Sequence, residues 1–92
     1  MADPRFIADA ALPAVRLEDF TVVYHAASGA THLLASPVPE ILAAIAPDRG
    51  AATVAEIVDR LRADYELEGE DGGTVVAARL AELAAAGLVR RA

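Results

Sequence analysis

The residues best suited to metal binding or proton transfer in this chain are two histidines, His25 and His32. If residues 20–25 and 30–35 form a hairpin with His25 opposite Ala30, the two rings stand diagonally on one face, roughly 7–8 Å apart. A metal held there needs further ligands, and no carboxylate at ligand spacing completes the set. The sequence contains no cysteine, which removes thiolate chemistry and disulfides. Both histidines are therefore expected on the sheet surface, without a metal. The run Glu66, Glu68, Glu70, Asp71 resembles a calcium loop in charge only, because the ligand spacing is wrong. Gly69, Gly72 and Gly73 do not form a phosphate loop, since no lysine follows them. No nucleophile, base and orienting group fall into a catalytic pattern. The expectation is a protein that is not an enzyme and needs no cofactor.

Charge narrows the partners. The 92 residues carry a formal net charge of −6, and every basic residue is an arginine. Such a surface repels a phosphate backbone, so nucleic acid is not expected as a partner. A winged-helix DNA-binding regulator is the main alternative reading. It would need a third helix presenting basic and amide side chains, and this one offers Arg79, countered by Glu82, followed by alanines. Arg90 and Arg91 add two charges only. A structural subunit of a larger enzyme is the other alternative. The start, Met1 to Pro13, lacks the basic cluster and unbroken apolar run of a secretory signal. No apolar stretch approaches the roughly 20 residues that span a bilayer. No membrane partner is expected, and the expected location is cytoplasmic.

The elements that must position these residues read as α+β. Residues 1–13 lack a clear period and are expected to form a flexible N-terminal arm, leaving 14–92 as the domain. Ala14 to Leu17 alternates weakly and reads as a short strand, followed by a turn at Glu18-Asp19. Phe20 to His25 is rich in β-branched and aromatic residues, which favours a strand. Gly29 closes a hairpin onto a return strand over Ala30 to Ala35. In that register Phe20, Val22, Tyr24 and Leu33 share a face, and this face is the expected core side. Ser36 is expected to cap a first helix with Pro37 at its first position; Ile41, Leu42 and Ile45 form its apolar stripe, and Pro47 ends it. Thr53 and Glu56 have capping-box spacing for a second helix running to about Tyr65. A loop over 68–73 follows. A third helix spans about Thr74 to Ala86, with Val76, Leu80 and Leu83 inward and Gly87 as its left-handed cap. Leu88-Val89 adds a short extended piece. The predicted architecture is winged-helix-like: a three-stranded antiparallel sheet followed by three helices.

The order Val23-Tyr24-His25, Gly29, Thr31-His32-Leu33-Leu34, a helix, Thr53-Val-Ala-Glu-Ile-Val58, then a last helix closing on Gly87-Leu88-Val89 resembles the PqqD family. It is most similar to the branch called HPr-rel-A system PqqD family peptide chaperones. The resemblance covers roughly residues 14–91. It implies a peptide recognition element that binds the leader segment of a ribosomally made precursor peptide. Such an element presents the leader to a modifying enzyme, a radical S-adenosylmethionine protein in pyrroloquinoline quinone synthesis, or here a kinase-related protein. Many relatives carry Asn after the Leu-Leu pair, where this chain has Ala35 and then Ser36, so the local ligand contact is expected to differ.

In relatives the peptide joins the third strand and lies against the third helix. Mapped onto this chain, the peptide-binding residues are Ala30, Thr31, His32, Leu33 and Leu34 on the strand, and Val75, Arg79 and Glu82 on the helix flank. Small Ala78 and Ala86 are expected to let a peptide side chain approach closely. An unpartnered strand edge supplies backbone donors and acceptors to an added strand. On this reading Leu34→Pro removes an edge donor and abolishes binding. The same open edge invites self-pairing into a homodimer.

Overall fold

The computed structural model describes residues 3–9, 12–64 and 72–92. Its elements run β1 (Phe6–Ala8), β2 (Ala14–Leu17), β3 (Phe20–His25), β4 (Ala30–Ala35), α1 (Val38–Ala44), α2 (Val54–Asp64), α3 (Gly72–Ala85) and β5 (Val89–Arg91). The three-stranded antiparallel sheet β2-β3-β4 and the three helices make an α+β fold. A separate two-stranded sheet pairs β1 with β5.

That second sheet corrects the expectation for the N-terminal stretch. Residues 6–8 are not loose: Phe6, Ile7 and Ala8 pair antiparallel with Arg91, Arg90 and Val89. Ala8 and Val89 are both buried. Phe6 also exchanges two backbone hydrogen bonds with Ala52, at 2.8 and 3.0 Å. The C-terminal strand holds the arm on one side and Ile45 and Ala52 on the other; the extent of that strand was not evident from two apolar residues followed by two arginines.

The β3–β4 register matches the sequence reading, with His25 opposite Ala30 and Val22 opposite Leu33. The inward face is the opposite one. Val23 and His25 are buried, whereas Phe20, Tyr24 and Leu33 are 46%, 44% and 63% exposed. Hydrophobicity pointed to the wrong side because both faces are largely apolar. The inner face meets the helical core through Leu34, with Thr21 and Val23 lining a cavity against α1, and the outer face is left uncovered by the described residues. Alternation also places Val15 and Leu17 of β2 with Thr31 and Ala35 on that outer face,.

The helices follow their apolar positions. Ile41, Ile45, Ile57, Val76 and Leu80 are essentially inaccessible and form the centre of the core. The α2 start is the expected reciprocal cap: the Glu56 amide donates to Thr53 Oγ1 at 3.2 Å, and the Thr53 amide donates to Glu56 Oε1 at 3.0 Å. The α3 end is a Schellman motif, with Leu88 N–H donating to the Leu83 carbonyl and Gly87 N–H to that of Ala84,. Gly87 has φ of 80° there, a conformation that favours glycine.

The α1 start differs from expectation. Pro37 occupies the cap position after a cis peptide bond, and no side chain caps the helix. Ser36 Oγ instead donates to Glu40 Oε2 at 2.8 Å. Helix α3 starts at Gly72, two residues before the expected Thr74. The carboxylates at 66, 68, 70 and 71 and the expected α2 end at Tyr65 lie outside the described residues.

Candidate peptide-binding cleft

Strand β4 forms the rim of the β2-β3-β4 sheet, and β3 is its only strand partner among the described residues. Which of its amides face outward follows from one bond. In an antiparallel strand a residue's N–H and C=O point to the same side, and the side alternates. Tyr24 N–H donates to the Pro13 carbonyl at 3.0 Å, so the backbone groups of Phe20, Val22 and Tyr24 face β2. Those of Thr21, Val23 and His25 then face β4. Their partners Leu34, His32 and Ala30 spend their backbone groups inside the sheet. Thr31, Leu33 and Ala35 are therefore left with N–H and C=O groups directed at the free edge. Leu34 carries no edge donor, which corrects the expectation for Leu34→Pro.

A cleft of about 420 Å³ lies between the end of this edge and α3. Leu33, Leu34, Val75, Arg79 and Glu82 line it together, so five of the residues singled out from the sequence meet at one place. Ala35, Ser36, Pro37 and Val38 complete the wall. The sequence reading had Ala35 and Ser36 only as the point where the ligand contact departs from that of relatives, and it missed Pro37 and Val38, because their place depends on the path of the chain after β4. Ala30, Thr31 and His32 sit on the same strand nearer the hairpin and do not line the cleft. Neither do Ala78 and Ala86, which are exposed elsewhere.

On α3 the division of faces is as expected. Val76, Leu80 and Leu83 are buried, while Val75 is 38% exposed. Arg79 Nη1 donates to both carboxylate oxygens of Glu82, at 2.9 and 2.7 Å. This pair sits on the cleft rim in a solvent-exposed setting, where such pairs contribute little stability. It is a charge clamp that an incoming ligand carboxylate or cation can compete for.

The two histidines are not surface residues. His25 is 5% exposed; its Nδ1 meets Ser28 Oγ at 2.8 Å and its Nε2 meets Asp9 Oδ2 at 3.1 Å. His32 is half-buried on the same inner face, and its Nε2 is buried with no hydrogen-bond partner among the described residues. Among the described residues no three His, Cys, Asp or Glu side chains cluster as a metal site.

A second groove, about 410 Å³, runs past Phe6, Ala77, Ala81 and Ala84. It lies beside the two-stranded sheet, with Phe6 of β1 and Arg91 of β5 in its wall, and not beside β4. No helix among the described residues is long and apolar enough to cross a membrane. Compared with family models, curated proteins and solved structures, the chain matches none.

Proposed function

We propose that this chain is a non-catalytic peptide adaptor. An extended peptide adds to the free edge of β4 and continues into the cleft beside α3. Thr31, Leu33 and Ala35 supply backbone pairing, which tolerates many sequences. Leu33, Leu34 and Val75 supply an apolar wall, and Arg79 with Glu82 selects charge. The observation that carries this reading is the coincidence of an open strand edge with an adjoining cleft lined by both strand and helix residues.

The resemblance to PqqD-type peptide chaperones names the ligand class: the leader segment of a ribosomally made precursor peptide. The adaptor then presents that leader to a separate modifying enzyme, a radical S-adenosylmethionine or kinase-related protein, in the cytoplasm. The winged-helix-like order of the sheet and helices is compatible with this family. The DNA-binding alternative is weakened by Arg79, the one basic residue of α3, being engaged by Glu82.

Calorimetric titration tests the proposal with synthetic leader segments from short reading frames beside this chain's gene. Saturable one-to-one binding by one of them is expected. A folded protein that binds none of the panel overturns the reading.

A further inference from the structure

The outer face of the three-stranded sheet is a second surface, which shares Leu33 and Ala35 with the cleft at the strand edge. Its three cross-strand rows contain no charged residue. The middle row is Val15, Val22 and Leu33; one flanking row holds Leu17 and Phe20, and the other holds Tyr24. Val15, Leu17 and Leu33 are all more than half exposed, and Phe20 and Tyr24 nearly so. Together they leave on the order of 600 Å² of apolar surface open, at the upper end of what a monomer shows.

We propose that this face packs against the same face of a second copy, forming a two-fold sheet-on-sheet dimer. Three observations favour a second copy. The first is area: two such faces bury on the order of 1,200 Å², the lower limit for a specific interface.

The second is charge. The chain carries −6, so copies repel wherever their acidic groups meet, and this uncharged face lets them approach. The only carboxylates adjoining it in the sheet are Glu18 and Asp19, in the turn at one end; the opposite turn, Ala26 to Gly29, is neutral. A two-fold axis along the middle row reverses strand direction and sets the acidic turn over the neutral turn of the partner.

The third is self-complementarity. The same axis lays the aliphatic row upon itself and brings Phe20 over Tyr24 of the partner, twice. Aligned packing at about 10 Å separation is the ordinary geometry for such faces. The outward backbone groups of the β4 edge stay free in this arrangement, so the dimer does not depend on peptide binding.

Sedimentation equilibrium tests the dimer on the full chain without peptide. Across roughly 10 µM to 1 mM the average mass is expected to rise from one chain towards two, as suits an interface at the small end. Val15→Lys and Leu17→Lys, at exposed positions away from the cleft, are expected to remain at one chain with unchanged circular dichroism. A dilution series followed by amide NMR on the unaltered chain covers the case of a misfolded variant. Concentration-dependent shifts are expected at Val15, Leu17, Phe20, Val22 and Tyr24. A wild-type mass of one chain throughout overturns the proposal. So does dimerisation that the folded lysine variants retain, or shifts confined to the β4 edge.

Discussion

Nε2 of His25 stands 3.1 Å from Oδ2 of Asp9, joining the end of the N-terminal strand segment to the β3–β4 hairpin. The same ring holds Ser28 Oγ through Nδ1. One side chain thus ties the two sheets together and fixes the turn from which β4 departs. Asp9 N–H donates to the Leu88 carbonyl at 2.9 Å, so the tie extends to the C-terminal segment.

His25→Ala removes both hydrogen bonds and leaves a small void among buried groups. The expected loss is about 2 kcal/mol, measured by urea denaturation. Asp9→Ala is expected to cost less, about 1 kcal/mol, because Asp9 is partly exposed. The double variant should cost less than the sum; strict additivity would mean that the two side chains do not interact.

His32 presents the opposite case. Its Nε2 is buried without a partner among the described residues, and such a group opposes folding. His32→Leu keeps the volume and removes the polar atom. A rise in stability of about 1 kcal/mol is expected, read as a higher denaturation midpoint with an unchanged slope.

Glu56 contributes to the acid limb. The Thr53 backbone hydrogen bond, then that of the Thr53 side chain, holds its carboxyl below the usual carboxylate range, with smaller help from Arg5 and Arg60. A carboxylate with a depressed folded-state pKa stabilises the fold above its unfolded pKa. That contribution disappears as pH falls through the folded value. Glu56→Gln is therefore expected to flatten the loss of stability on acidification and to change little below the folded value. An unaltered pH profile would remove Glu56 from the account.

The strand-edge assignment separates two neighbouring proline variants. Leu33→Pro deletes an outward amide at an edge position, where proline is tolerated. The expected result is a folded protein with peptide affinity down at least about tenfold, the equivalent of one hydrogen bond. Leu34→Pro deletes an amide used within the sheet opposite Thr21, and is expected to disrupt the fold. Thermal unfolding and binding of both variants, measured together, would expose an inverted pattern.

How much of this was legible beforehand differs by element. The hairpin register could be read because Gly29 and the lengths of the flanking runs leave one good pairing. The α2 cap could be read because Thr53 and Glu56 have a spacing with one local use. The inward face of the hairpin could not. Val22 and Leu33 are as apolar as Val23 and Leu34, and burial was decided by where the helices lie. The β1–β5 pairing was hidden because it joins opposite ends of the sequence through three-residue strands. The cleft residues on β4 and α3 were read from the family resemblance and meet in space. The Ser36-Pro37-Val38 wall depends on the path of the chain after β4, which no local pattern specifies.

The most direct measurement is amide hydrogen exchange on the folded chain, with and without a bound leader peptide. Strand addition predicts that the amides of Thr31, Leu33 and Ala35 exchange freely in the absence of peptide and become protected with it. Those of His32 and Leu34 should be protected in both states, being used within the sheet. Saturating peptide that leaves Thr31, Leu33 and Ala35 unprotected would contradict pairing on β4.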